Sequence, residues 1–335
     1  MPANLSQQYR NAEKKYRNSA SAEEELACLQ LMLREIPKHK GTDKLQAELK
    51  RKISLTRKEL ECRSASPKPS GFRLPRQGAG RVVIVGGPNS GKSSLLNVLA
   101  DGSAEVADFP YATRQPYPAL MAYEEVRIQL VDTAPVSGQK LDPKTESLLR
   151  SADLVLLLID LAGDDSIEFF FECFETIQES RTRLGSLSRL DEQDIGVTYT
   201  RTLLVWTQSD KRDAQSRRPL FEELIGLQLG ALDFPGLEVS TRDTGSLAIL
   251  KQAIFRSLDV VRIYTRDPSA KEPDLTDPFT LRRGSNVLDL ASCVHEEVAR
   301  NFHSARVWGE GKHDGTVVQA NYILQDRDIV EIRTR

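Results

Sequence analysis

The sequence predicts an α/β fold: a doubly wound, mostly parallel sheet, with a helical segment before it and a small mixed domain after it. Three observations lead there. Short apolar-rich runs at 81–85, 126–131, 154–159, 203–206 and 237–240 read as buried strands. Helix-like segments at 93–100, 165–184 and 245–257 fall among them, and strands alternating with helices make a parallel sheet. The chain has 335 residues, 39% hydrophobic and 28% charged, which suits two or three globular domains and argues against wholesale disorder.

Residues 1–63 form the first unit. Leu26, Leu29, Leu33 and Ile36 recur at helical spacing, and 37–41 break the pattern. Asp43 with Gln46 is a capping pair for a second helix, whose stripe is Leu45, Leu49, Ile53, Thr56 and Leu60. Two helices so joined make a helical hairpin. Residues 64–80, rich in Ser, Pro, Gly and basic side chains, read as a linker. The sheet domain occupies 81–258, with 185–200 as an insertion of no assigned role. Residues 259–335 form a small α+β domain with strands at 262–265, 304–308 and 329–332. Its helix at 286–301 carries Val287, Leu290, Val294 and Val298 on one side.

The net charge of -2 hides an asymmetry. Residues 1–80 hold 17 Lys and Arg against 9 Asp and Glu, so the rest of the chain is acidic. A basic arm on an acidic body suits contact with a polyanion, and a solvated helical face is the alternative. The longest apolar run, 154–159, is far short of a membrane span, and the N-terminus carries no apolar leader, so no membrane partner is expected. Cys28, Cys62, Cys173 and Cys293 are scattered without metal-ligand spacing and read as reduced thiols of a cytoplasmic protein.

Gly86, Gly87, Pro88, Asn89, Ser90, Gly91, Lys92 and Ser93 fit G-x-x-x-x-G-K-[ST], after a predicted strand and before a predicted helix. Glycines let backbone N–H groups point inward as a nest for phosphate oxygens, and the helix N-terminus adds a positive dipole end. Lys92 supplies a point charge to the β- and γ-phosphates, and the Ser93 hydroxyl is placed to ligate Mg²⁺. Residues 88–94, through Ser94, are the candidate cradle. Such a loop by itself does not separate kinase, ATPase and GTPase.

Asp132 ends a buried strand, where a carboxylate holds Mg²⁺ through water. Thr113, between the loop and that strand, is a candidate to cap Mg²⁺ when a γ-phosphate is present. Thr207, Gln208 and Asp210 follow the strand at 203–206. A carboxylate at Asp210 accepts from the N1 and N2 edge of guanine, a donor pair that adenine lacks. Ser240 and Thr241, after the last strand, offer backbone N–H groups to the base O6.

In this order the motifs resemble the Obg–HflX-like branch of translation-factor GTPases, above all the developmentally regulated GTP-binding family and its prokaryotic relatives. Residues 36–45 resemble that family's helical hairpin, 108–113 its first switch with Thr113 as the Mg²⁺ threonine, and 128–133 its third motif. Residues 261–265, 307–309 and 328–332 resemble a TGS domain, a ubiquitin-like β-grasp module. The resemblance implies a P-loop NTPase G domain that binds GTP and GDP with Mg²⁺ and hydrolyses GTP. It also implies a ribosomal or RNA partner met through the basic arm and the TGS domain; a monomer is expected. Asn89 matches the loop asparagine of cation-stimulated GTPases, which implies K⁺ near the phosphates beside catalytic Lys92 and Thr113; an Asn that merely tolerates the turn is the alternative.

Four positions depart from the family pattern, one of them Ala112 in the first switch, where relatives carry a second Thr. Pro135 stands where glycine donates its N–H to the γ-phosphate, and proline has none. Thr207 and Gln208 replace the Asn and Lys of the fourth motif. A nucleotide-binding scaffold with negligible turnover therefore stands beside the GTPase reading, and an ATPase or small-molecule kinase is a third.

Overall fold

The computed structural model describes residues 7–36, 42–63, 74–100, 116–266, 273–309 and 315–334, apart from 18, 20, 139, 192, 193, 195, 196 and 274. The arm has three helices, α1 (Gln7–Arg17), α2 (Ala22–Glu35) and α3 (Asp43–Arg63), where two were expected. α2 and α3 form the expected pair, and their 37–41 connection lies outside the described residues. The extra helix arises because Ser21 is extended (φ −132°) and its hydroxyl accepts from Glu24 N–H, capping α2 and ending α1 before it. Tyr9, Ala12 and Tyr16 of α1 pack against Leu29, Met32, Leu49 and Ile53. The arm is tied to the body by Arg150, which pairs with Glu25 and donates to the Ser19 carbonyl at 2.7 Å.

The central sheet begins with β1 (Arg81–Gly86), followed by α4 (Lys92–Leu99), β2 (Tyr117–Tyr123), β3 (Val126–Asp132), α5 (Pro143–Ser151), β4 (Leu154–Asp160) and α6 (Ser166–Gln178). It continues through β5 (Thr182–Gly185), β6 (Arg189–Leu190), β7 (Thr198–Thr207), α7 (Ala214–Leu229), β8 (Gly236–Glu238) and α8 (Thr244–Leu258). The strand order is β2-β3-β1-β4-β7-β5, with β6 and β8 also on β7. β2 and β6 run antiparallel to their neighbours and the other pairs are parallel. The unassigned 185–200 stretch thus supplies β6 and the start of β7.

Alternate residues of β1 and β4 point to opposite faces, as strand geometry requires. Val83, Val85, Val155 and Leu157 join Leu149, Phe170 and Phe221 of α5, α6 and α7. Val82, Ile84, Leu156 and Leu158 join Leu95, Leu99, Leu250 and Ile254 of α4 and α8. Both sheet faces are covered, which is why these strands read as continuous apolar runs.

The C-terminal sheet holds β9 (Val260–Thr265), β10 (Phe279–Arg282), β11 (Phe302–Trp308), β12 (Thr316–Val318) and β13 (Asp328–Thr334), in the order β10-β9-β13-β11-β12. α9 (Val287–Val294) packs Val287 and Leu290 into its core. The expected single helix over 286–301 is broken: His295 is extended (φ −166°), ends α9, and caps α10 (Glu296–Arg300) through Nδ1, so Val294 is exposed instead of core. Arg262 of β9 crosses to the central sheet, pairing with Glu124 and Glu125 at the tip of the β2–β3 hairpin. Among the described residues no helix is long and apolar enough to cross a membrane.

Candidate functional site

The phosphate loop joins β1 to α4 and is shaped by its small residues. A Cβ on Gly86 would lie 2.6 Å from Ser90 Oγ and 2.9 Å from the Leu158 carbonyl. A Cβ on Gly87 would lie 2.5 Å from Phe169 Cβ, an atom fixed on α6. Gly91 (φ +87°) and Asn89 (φ +56°) take the left-handed conformation, which glycine adopts freely and asparagine tolerates. Gly87→Ala is therefore expected to displace the loop, costing about 1–3 kcal/mol of overpacking and most of the nucleotide affinity. Thermal unfolding and calorimetry with GDP check both effects.

Lys92 is buried and folds back over the loop. Its Nζ donates to the carbonyls of Gly86 (3.1 Å) and Gly87 (2.7 Å) and to Ser90 Oγ (3.2 Å). Burial pulls its pKa below the ordinary lysine value, opposed by the Asp132 charge. Ser93 Oγ donates to Asp132 Oδ2 at 2.5 Å. The other oxygen, Asp132 Oδ1, is buried with no hydrogen-bond partner among the described residues. Burial pushes the Asp132 pKa up, while the Ser93 hydroxyl and Lys92 pull it down. A hydroxyl oxygen beside a half-satisfied carboxylate is a donor set that fits a hard dication such as Mg²⁺. No cluster of three His, Cys, Asp or Glu that could hold a metal occurs among the described residues.

Thr113 lies outside the described residues. Pro88 is half-buried, and Asn89, Ser93 and Ser94 are exposed at the loop. Pro135 is exposed, whereas the next residue is locked: Val136 N–H donates to the Gly86 carbonyl (3.2 Å) and its side chain is buried in the core. Thr133 Oγ1 donates to the Ile84 carbonyl at 2.8 Å. Residues 133–136 are thereby stapled to β1 at two points.

At the end expected to read the base, two residues are held by other partners. Thr207, expected at the nucleotide, is buried, with its hydroxyl on the Ser90 carbonyl (3.0 Å) and the Ile159 carbonyl (3.3 Å). It ties β7 to the phosphate loop. Ser240, expected to offer its N–H, gives that N–H to Ser246 Oγ (3.2 Å). Its hydroxyl donates to Asp210 Oδ1 at 2.7 Å, holding the carboxyl below the usual range. Arg242 approaches Asp210 Oδ2 at 3.9 Å. Gln208 is half-buried in a left-handed turn (φ +56°) between the two ends.

Sequence reasoning missed several residues here. Asp160, at the end of β4, accepts from Ala162 N–H at 2.8 Å, and burial raises its pKa. Arg217 donates to the carbonyls of Ala162 and Gly163, fixing the loop next to α6. An acidic residue ending a buried strand was a legible signal for Asp160; Arg217 had none. Cys173, behind Lys92, is buried with its thiol pushed up to about 12, and is inert as a nucleophile.

Residues 81–195 match the family described as 50S ribosome-binding GTPase, and residues 261–334 match the TGS domain. Fold and site together define a P-loop GTPase joined to a C-terminal TGS domain. The chain is similar to an uncharacterised GTP-binding protein of Methanocaldococcus jannaschii, 26% identical with 92% of each chain covered. It is also similar to the Ribosome-interacting GTPase 1 of Saccharomyces cerevisiae (26% identical, 88% of this chain and 94% of that one). A third relative is the Developmentally-regulated GTP-binding protein 2 homolog of Dictyostelium discoideum (24% identical, 88% and 94%). The chain is a GTP-binding protein whose homologues are the developmentally regulated GTP-binding proteins and their archaeal relatives.

Proposed function

We propose that the chain binds GTP with Mg²⁺ and hydrolyses it slowly to GDP and phosphate, stimulated by K⁺ or by a ribosomal partner. The observation that carries this reading is the Ser93–Asp132 contact at 2.5 Å beside the buried, unpartnered Asp132 Oδ1, at the mouth of the glycine loop. When bound, Mg²⁺ neutralises phosphate charge and orients its oxygens. Ser93 and Asp132 would hold it, with Thr113 as the third protein contact.

The amides of 89–94 and the Lys92 ammonium bind the phosphates; Pro88 has no N–H to give. Asp210, oriented by Ser240, accepts from the guanine N1 and N2 hydrogens. The Thr241 N–H takes the O6 contact, because the Ser240 N–H is held by Ser246. Gln208 flanks the base, and Thr207 keeps the base end and the phosphate end in register. The basic arm and the TGS domain are the proposed contacts to ribosomal RNA. Supporting this are the arm's positive excess and the similarity to the yeast Ribosome-interacting GTPase 1. The protein acts as a cytoplasmic monomer.

Calorimetry with GDP, GTP and ATP, and phosphate release in K⁺ and Na⁺ with and without ribosomes, test this reading. Guanine-selective binding with stimulated release supports it; equal affinity for ATP sinks the base assignment. Asn89→Gly isolates the K⁺ role, because glycine accepts the φ of +56° and only the carboxamide is lost. The expected result is loss of the K⁺ over Na⁺ rate ratio, with GDP affinity changed by no more than about threefold. An unchanged ratio assigns Asn89 to the turn alone.

One observation favours a second reading, a scaffold with negligible turnover. Pro135 cannot donate to a γ-phosphate, and Val136 is fastened to Gly86 and the core. GTP binding without phosphate release under every condition would establish it.

A further inference from the structure

Four arginines from the arm, the linker, the central sheet and the C-terminal sheet gather around one carboxylate. Arg76 and Arg282 both pair with Asp153, the second at 3.2 Å on Oδ1. Asp153 Oδ2 also accepts the Arg81 N–H at 2.9 Å, so its acceptors are taken. The Arg81 guanidinium gives its hydrogens to neutral groups: Gln129 Oε1 (2.9 Å), Ser151 Oγ (2.9 Å) and the Leu74 carbonyl (2.6 Å). Arg17, the last residue of α1, is half-buried and makes no hydrogen bond or ion pair with any described residue. Burial lowers its pKa, and Arg282 and Arg76 repel it while Asp153 and Glu13 attract it.

Two guanidinium groups thus share Asp153, the Arg81 backbone N–H meets the same carboxylate, and Arg17 lies within electrostatic reach of all three side chains. The fold holds like charges together at the seam of its parts, an unfavourable arrangement unless an anion completes it. The outer pair is reachable, with the Arg76 side chain 39% and the Arg282 side chain 59% exposed. Planar guanidinium forks match phosphate oxygens and grip them with paired hydrogen bonds.

We propose that this seam is a phosphate-binding site for the backbone of an RNA strand. The inference rests on the RNA partner proposed above and gives it a location. A polymer suits the seam better than a lone anion, because residues 1–80, which supply Arg17 and Arg76, carry a positive excess. None of the four arginines belongs to the nucleotide site, so GTP binding reports folding independently.

The test is fluorescence anisotropy of the full chain with a single-stranded oligouridylate of about a dozen nucleotides, titrated across a salt series. Arg17→Gln and Arg282→Gln are each expected to weaken binding several-fold. Each should also reduce the slope of log K against log salt by about 0.7. Arg17→Gln removes no hydrogen bond and relieves repulsion, so its unfolding midpoint should stay level or rise while RNA binding falls. A merely structural arginine would do the reverse. If the wild type binds with an unchanged slope in both variants, the RNA lies elsewhere: the seam is wrong and the RNA reading stands. If the wild type does not bind oligouridylate at low salt, both fail. Full displacement of the RNA by inorganic phosphate at a concentration that leaves ionic strength fixed would make the seam a small-anion site and overturn the strand assignment.

Discussion

Asp210→Asn is expected to cut GTP and GDP affinity by roughly 10²–10⁴-fold while leaving the fold intact. Two hydrogens on the guanine edge then meet an amide in place of a carboxylate. One amide N–H₂ faces the guanine amino group, donor against donor, and the charge assistance is gone. The amide oxygen still accepts the Ser240 hydroxyl, now 2.7 Å from Asp210, so the side chain keeps its orientation. The same geometry predicts a gain for xanthosine nucleotides, whose C2 carbonyl accepts what the guanine amino group cannot. Competition calorimetry with GDP and xanthosine diphosphate reads both changes. A GDP loss under about threefold, with no xanthosine gain, would mean that Asp210 does not read the base.

The contiguous features of this site were legible and the assembled ones were not. The phosphate loop is set by local backbone demands, so Gly86, Gly91, Lys92 and Ser93 are spelled out in eight residues. β1 and β4, buried on both faces, announce themselves as apolar runs. β2 has a mixed burial pattern at the sheet edge, and α7 carries an internal Pro219, so neither was recognised. α1 buries only Tyr9, Ala12 and Tyr16, too sparse a stripe to separate it from α2. The proposed base site depends on partners far apart in the chain: Ser240 with Asp210, and Thr207 with Ser90. Thr207 shows the limit well, since its type suggested a lost contact and its place gives it a tethering bond. Residues 101–115, with Thr113, lie outside the described structure.

Arg262→Ala should produce the largest loss of stability, about 2–4 kcal/mol. Its guanidinium is 6% exposed, pairs with Asp326 at 2.7 Å and with Glu124 and Glu125, and lies 4.9 Å from the Phe255 ring centre. Truncation leaves three carboxylates facing one another. These acids are about a third exposed, so water screens them and the loss falls below that of a fully enclosed triad. Hydrogen bonds from Arg262 lead in holding the Glu124 pKa low, and they outweigh the burial that would raise Asp326. Depressed carboxylates contribute stability above their unfolded pKa values, near 4, and lose it as pH falls through the lower folded values. The gap between wild type and Arg262→Ala in urea unfolding should therefore be full near neutrality and shrink in acid; a gap independent of pH would assign the loss to packing against Phe255. GDP affinity should change less than about threefold, because Asp132 at the far end of β3 is held in register by β1, where Ile84 pairs with it. Nucleotide affinity falling in step with stability would instead show that the hairpin transmits the state of the C-terminal domain to Asp132, the proposed Mg²⁺ ligand.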